Sequence, residues 1–161
     1  MTTSKVLDPL ARGARRFENK VCVVAGAGQG IGTGSYTTLA FNTESYDTAS
    51  AYDTSAYTFT VPVGAAGFYR LYVNFRIALV NPAVVDLSFD KNAGTTIGEW
   101  TSATGLNTTS ANFTLGGSTY LLAAGDVVKS TFYHNSGSTK NLTAGQYTSY
   151  FEAELIRPTW A

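Results

Sequence analysis

The chain has one cysteine, one histidine and one methionine among 161 residues, and each scarcity removes a class of protein. A lone cysteine, Cys22, cannot close an intrachain disulfide, so the fold must stand on packing. One histidine with one cysteine cannot supply the nitrogen and sulfur ligands of a zinc site. No apolar run approaches the roughly 20 residues that a membrane-spanning helix needs. The start is basic, but no apolar h-region with a small-residue cleavage site follows it, so no standard secretory signal is expected. Charged residues make up only 14% of the chain and cancel to a net charge of zero, which gives no global attraction to nucleic acid or to a membrane surface. No segment sustains an apolar period near 3.6, which argues against helices.

What is present points to sheet. Ten tyrosines and nine phenylalanines accompany abundant Thr, Ser, Gly and Ala, a composition that suits pleated surfaces better than helices. The length allows one domain with a real core and is too short for two ordinary ones. The zero net charge conceals a split. Residues 1–32 carry five basic and two acidic side chains, and the remainder six and nine. Alternation begins in earnest at Tyr36. YTTLAFN reads as a first strand, and AYTFTVP as a strand stopped by Pro62. The longest run, GFYRLYVNFRIALV, puts Tyr69, Leu71, Val73, Phe75 and Ile77 on one face and Arg70, Tyr72, Asn74 and Arg76 on the other. VVDLSFDKN aligns Val85, Leu87 and Phe89. NFTL, STYLLAA and DVVKSTFYHN follow as further strands. QYTSYFEAELIRP closes the series with Tyr147, Ser149, Phe151, Ala153 and Leu155 on one face. These segments predict an all-β antiparallel jelly-roll sandwich of about 8–10 strands over 36–161, preceded by a basic arm over 1–35.

The order of these segments resembles the globular head of the complement q-subcomponent and the tumour-necrosis-factor-like jelly rolls, over about residues 38–158. The stretch from LAFN through FTVP to GFYRLYVNF is similar to that family's opening. VVDLSFDKNAG resembles its Lys-Asn-Gly segment. Leu121, Leu122, Gly125, Asp126 and Val127 match its Gly-Asp signature, and Ser149, Phe151 and Leu155 its closing strand. Ala153 stands where the family usually has glycine, and the cysteine pair of the vertebrate members is missing. The resemblance implies a homotrimer that buries aromatic side chains, and Tyr69, Phe75, Phe89, Phe132, Tyr147 and Phe151 are the candidates for core or trimer interface. It also implies that a calcium site is conceivable, with Asp47, Asp53, Asp86 and Asp90 as the acids to inspect. Solvated loop carboxylates are the expected outcome, and no metal or cofactor is assigned.

A second resemblance is local. RFENKVCVVAGAGQGIG looks like the start of a short-chain dehydrogenase, with Gly26, Gly30 and Gly32 in the glycine positions. In that family a helix follows the glycines and holds phosphate. Here β-prone GTGSYTTLAFN follows, and none of the tyrosines has lysine four residues on. Residues 17–32 are therefore a vestigial motif without bound nucleotide. His134 lies near Ser130, Ser136 and Asp126 in sequence, but triads are defined by geometry, and strand-end decoration is the expected role. Asn107, Asn112 and Asn141 begin Asn-x-Thr triplets, as a chain rich in Asn and Thr does by chance. Arg12, Arg15 and Arg16 read as part of a solvated arm.

The expected function is non-enzymatic: a trimeric module for structure, attachment or binding, on a virion or an extracellular surface. Its partners would be itself and a capsid, surface or receptor protein or a glycan, met by loops at residues 81–83, Gly94 and residues 101–110. The alternatives are a fragment of an NAD(P)-dependent short-chain oxidoreductase and a secreted carbohydrate-binding sandwich.

Overall fold

The computed structural model describes residues 20–25, 30–79, 84–102, 108–145 and 147–159. Among them there is no helix. Nine strands have three or more residues: β1 (Lys20–Ala25), β4 (Phe41–Asp47), β6 (Thr58–Thr60), β7 (Gly67–Leu79), β8 (Val85–Lys91), β9 (Thr95–Ser102), β10 (Thr108–Leu122), β11 (Val127–His134) and β13 (Tyr150–Pro158). Four have two residues: β2 (Gly30–Ile31), β3 (Thr37–Thr38), β5 (Tyr52–Asp53) and β12 (Lys140–Asn141). One sheet runs β10-β7-β13-β1-β4. The other runs β5-β6-β11-β8-β9, with β3 also paired to β11, and β2 pairs with β12. The pairings are antiparallel, so the expected jelly-roll sandwich is the fold.

The core lies between the two sheets. β7 presents Tyr69, Leu71, Val73, Phe75 and Ile77 inward, each fully buried, as period-2 alternation requires. β8 answers with Leu87 and Phe89, and β11 with Val128 and Phe132. Phe75 meets Phe132 edge-on at 4.8 Å and stacks on Phe113 at 5.4 Å. Phe151 joins Tyr52 and Phe89 at 5.7 and 6.3 Å. Fully burying one such ring contributes about 2–3 kcal/mol.

Several boundaries differ from the sequence expectation. Residues 1–19 and 26–29 lie outside the described residues, but Lys20–Ala25 does not belong to an arm. It pairs with β13 on one side and β4 on the other, so the sandwich starts before Tyr36. Its six-residue run buries Val21, Val23 and Ala25 alternately, a signal the adjoining glycine motif obscures. YTTLAFN is two strands. Thr37 and Thr38 pair with β11, whereas Phe41 onward pairs with β1, and the chain changes sheets at Leu39 and Ala40. Three consecutive buried residues, Leu39, Ala40 and Phe41, mark that crossing, because a lone strand alternates. NFTL and STYLLAA are one strand. Gly116 and Gly117 make an irregularity inside β10 instead of a turn, with Gly117 at φ +90°.

Tyr147 does not join the inward face of β13. The Thr148 and Ser149 amides both donate to the Gly145 carbonyl, at 3.0 and 2.9 Å, which folds that segment into a turn and leaves Tyr147 85% exposed. The other five aromatic candidates, Tyr69, Phe75, Phe89, Phe132 and Phe151, are fully buried within one subunit. A second copy cannot reach them.

Candidate self-association face

The residues that carry the complement-head resemblance act as fixings. Asp126 accepts from the Ala123 amide at 2.9 Å, the Asn92 side-chain amide at 2.6 Å and the Lys91 ammonium at 3.3 Å. Asn92 in turn accepts from the Val127 amide at 2.9 Å and sits at φ +48°. The Lys-Asn and Gly-Asp turns thus clamp each other. Burial alone would raise the Asp126 pKa, but its three donors together hold it below the ordinary aspartate value. Ser149, fully buried, donates to the Thr143 carbonyl at 2.6 Å and accepts from the Arg76 amide at 3.2 Å. The Tyr69 hydroxyl donates to the Ala65 carbonyl at 2.8 Å. Asp126, Asn92, Ser149 and Tyr69 each close a turn or loop, while Leu122 and Phe151 fill the core.

The enzyme-like clusters come apart. His134 is fully buried, its Nε2 lying 3.2 Å from the Ile31 carbonyl and its Nδ1 2.9 Å from the Ser136 hydroxyl. Burial lowers its pKa, against the opposing effect of that carbonyl. Ser130 Oγ is buried without a hydrogen-bond partner, and Asp126 stands at the other end of β11, so these groups form no triad. Gly26 lies outside the described residues. Gly30 is in β2 and Gly32 directly follows it, so a strand stands where a nucleotide-binding motif needs a helix. The four candidate acids do not gather either. Asp47 accepts from Ala49 and Tyr52 amides and Asp53 from Ser55 and Ala56 amides, while Asp86 and Asp90 lie on β8. Among the described residues no group of three or more acidic, histidine or cysteine side chains is arranged to hold a metal ion. Of the expected recognition loops, residues 81–83 and 103–107 lie outside the described residues, and Gly94 is an exposed turn at φ +143°.

The two open faces of the sandwich differ in chemistry. The six-stranded sheet turns mainly hydroxyls and charges outward, with Thr58 and Thr60 on β6, Lys129 on β11, Asp90 on β8 and Glu99 on β9, beside one tyrosine pair, Tyr36 and Tyr133, whose rings lie 5.3 Å apart. The five-stranded sheet turns rings outward. Tyr72 of β7 and Tyr150 of β13 stack at 5.7 Å, 22° from parallel, and Cys22 of β1 pairs in register with Tyr46 of β4 beside them. At one end Leu121 and Ile156 are 59% and 47% exposed, and Arg157 lies 4.7 Å over the Phe68 ring. Between these apolar parts Glu154 is paired with both Lys20 and Arg70. Burial opposes ionisation of Glu154, yet the two cations hold its pKa below the ordinary glutamate value. Burial and then the Glu152 charge push Cys22 up to about 11, and burial with Tyr72 and Glu152 pushes Tyr150 up to about 12. The Tyr150 phenol and the Cys22 thiol are neutral near pH 7, so this face offers uncharged groups beside a compensated ion cluster, with Arg76 and Glu152 also on it.

Sequence reasoning put Tyr72 on the outward face of β7 but missed its partners. Tyr46, Tyr150 and Cys22 sit on three other strands, and only sheet order brings them to Tyr72. An aromatic residue on the solvent side of a strand was the one available signal.

The architecture and the strand order define the class: a jelly-roll sandwich with the fold of the complement and tumour-necrosis-factor heads. Among solved structures, the globular domain of zebrafish complement 1qA superposes with a TM-score of 0.62 at 16% identity, covering 88% of this chain and 100% of that one. The Eiger TNF of S. frugiperda gives 0.62 at 10% identity, covering 88% and 94%. Murine APRIL at pH 8.0 gives 0.58 at 10% identity, covering 83% and 95%. At such identities the likeness establishes the fold. No protein-family model matches the chain, and no curated protein matches it. Among the described residues no helix is long and apolar enough to cross a membrane.

Proposed function

We propose that the protein is a non-enzymatic module that assembles with two further copies of itself through the open face of the five-stranded sheet, and that it serves in attachment, structure or binding at a virion or extracellular surface. The observation that carries this reading is the contrast between the two open faces. An antiparallel sheet turning one side to water is ordinarily polar there, as the six-stranded sheet is apart from its Tyr36–Tyr133 pair. The five-stranded sheet instead exposes Tyr46, Leu121 and Ile156 and the Tyr72–Tyr150 stack. Aromatic residues enriched on one patch, with a compensated charge cluster among them, suit a protein interface. The number of copies follows from the resemblance to the complement heads. Five of the six aromatic candidates are buried in the core, and the rings clustered on the five-stranded sheet are available to a second subunit. A receptor, capsid protein or glycan would then be met by turns at the ends of the sandwich, such as that at Gly94.

Light scattering on the eluting protein tests the assembly. The wild type should elute at three times its 17.1 kDa subunit mass. Tyr72→Glu with Tyr150→Glu should give a folded monomer, while Thr60→Glu on the opposite sheet, at an exposed position of β6, should leave the mass unchanged. A wild type that is monomeric at every concentration refutes the reading. So does a melting temperature raised by NADH.

A further inference from the structure

The outer side of the six-stranded sheet carries an arrangement that two ionised carboxylates cannot maintain. Asp86 on β8 is 5% exposed. Its Oδ2 accepts the Tyr36 hydroxyl at 2.6 Å, while its Oδ1 is buried with no hydrogen-bond partner. In the β8–β9 pairing Asp86 stands opposite Thr101, and Ser88 opposite Glu99, so Asp86 and Glu99 are diagonal neighbours on one face. The Glu99 carboxyl lies within hydrogen-bonding reach of Asp86 and also takes the Thr101 hydroxyl at 3.4 Å. Ionised carboxylates only accept, so a buried oxygen beside a second carboxylate lacks a donor unless a proton lies between them.

We propose that Asp86 and Glu99 share one proton across the β8–β9 pairing, which makes the attachment of the edge strand β9 dependent on pH.

The surroundings fit such a pair. On β8 itself Asp90 adds negative charge, and its oxygens already accept Ser88, Thr96 and Thr131 hydroxyls at 3.2, 3.1 and 2.9 Å. From β11, Tyr133 stands opposite Asp86 and Lys129 opposite Asp90. Among the described residues, Lys129 is the cation facing the pair from a strand packed against it, and its register places it beside Asp90. From the segment before β3, Tyr36 leans on Tyr133 with ring centroids 5.3 Å apart. Bonding to Asp86, with some burial, pushes the Tyr36 phenol up to about 12, so it remains a donor throughout the neutral range. The Asp86 bond and charge likewise raise Glu99 above the ordinary glutamate value of 4.5, and the Thr101 hydroxyl only partly opposes them.

Loss of the proton leaves two like charges across one strand pair. Asp86 is buried and keeps the Tyr36 bond, whereas Glu99 is exposed and on an edge strand, so Glu99 is the group that turns away. A carboxyl whose folded pKa is raised binds its proton more tightly in the folded state. Its contribution is therefore full below 4.5 and is lost as pH rises through the folded value. That sign is opposite to the effect of Asp126 and Glu154.

Carboxyl-carbon NMR on the full chain should show Glu99 titrating above 4.5, with the Asp86 signal responding to the same step. Amide exchange in β9 should quicken across that step. Glu99→Gln offers Asp86 an amide N–H in place of the shared proton. Its melting temperature should lose the decline expected of the wild type as pH rises above 4.5. Glu99→Ala should be as pH-independent, with β9 exchanging fast throughout. An independent Glu99 titration near 4.5, or parallel melting profiles for wild type and Glu99→Gln, overturns the proposal. Calcium chloride that stabilises the wild type at pH 8, but not Glu99→Gln, also overturns it, because the pair would then be held by a cation.

Discussion

Asp126→Ala should lower the unfolding free energy by about 2–4 kcal/mol at neutral pH and fixed protein concentration. Asp126 is 8% exposed and accepts three donors. A hydrogen bond to a charged group is worth about 1.5–3 kcal/mol, and donors left without an acceptor add a desolvation cost. Two of the three bonds, from the Ala123 amide and the Asn92 side chain, are 2.9 and 2.6 Å long and take that full weight. The Lys91 ammonium is 3.3 Å away on a partly exposed side chain, and solvent screening reduces its share. Because the donors share one acceptor their effects do not add, which places the total below the about 3–6 kcal/mol that two independent bonds would give. In a domain of this size the loss corresponds to a fall in Tm of roughly 6–12 °C. Urea unfolding followed by tryptophan fluorescence measures it directly.

The pH dependence sharpens the test. The Asp126 pKa is held below its ordinary value of 3.8, so its contribution is full above 3.8 and disappears as pH falls through the lowered value. The gap between wild type and variant should therefore close in strong acid. Asp126→Asn keeps an acceptor for the Ala123 amide and should fall between the two. If Asp126→Ala unfolds within about 0.5 kcal/mol of the wild type, or its deficit persists undiminished in strong acid, the Gly-Asp signature is not a clamp and the reasoning fails.

Two further substitutions probe the packing. A Cβ at Gly67 would collide with the backbone carbonyl of Arg157 and come within 2.8 Å of Pro158 Cα, neither of which can yield. Gly67→Ala should accordingly destabilise by at least about 2 kcal/mol or abolish folding, read by thermal melting. Ser130 is the opposite case. Its hydroxyl is buried among apolar side chains with no partner, so Ser130→Ala should be neutral or stabilise by up to about 1 kcal/mol in the same urea titration. A loss above 1 kcal/mol would show that the hydroxyl is bonded in solution.

The sandwich was legible because its cause is local. Alternation along residues 67–79 is a property of the covalent chain, and the observed burial of β7 repeats it position by position. The order of the family-like segments was legible for a related reason, since Asp126, Asn92, Ser149 and Tyr69 close turns between neighbouring segments of the chain. The same fact explains why they say nothing of a ligand. Sheet order was not legible, and the candidate face depends on it. Tyr46, Cys22, Tyr150 and Tyr72 come from four strands, and nothing in the spacing of those residues says that β1 lies between β4 and β13. The Asp86–Glu99 pair is hidden likewise, because a polar residue on the solvent side of a strand reads as ordinary decoration until its burial is known. In the short run before the glycines, an enzyme-like string outweighed a correct alternation.

The position of β1 also governs how the molecule reaches its fold. β1 is made well before one of its two neighbours, β13: Lys20 pairs with Glu154, 134 positions further on. Until then one edge of β1 has no complement, and β7 likewise lacks the strand that separates it from β1. The five-stranded sheet closes in one late event that joins the most distant parts of the sequence, at a high cost in loop-closure entropy. The hairpin of β8 and β9, by contrast, needs only its own neighbourhood. Folding should thus proceed from the middle of the chain outward, and the sheet proposed to gather three copies is the last to exist. Assembly is in this way barred to half-made chains.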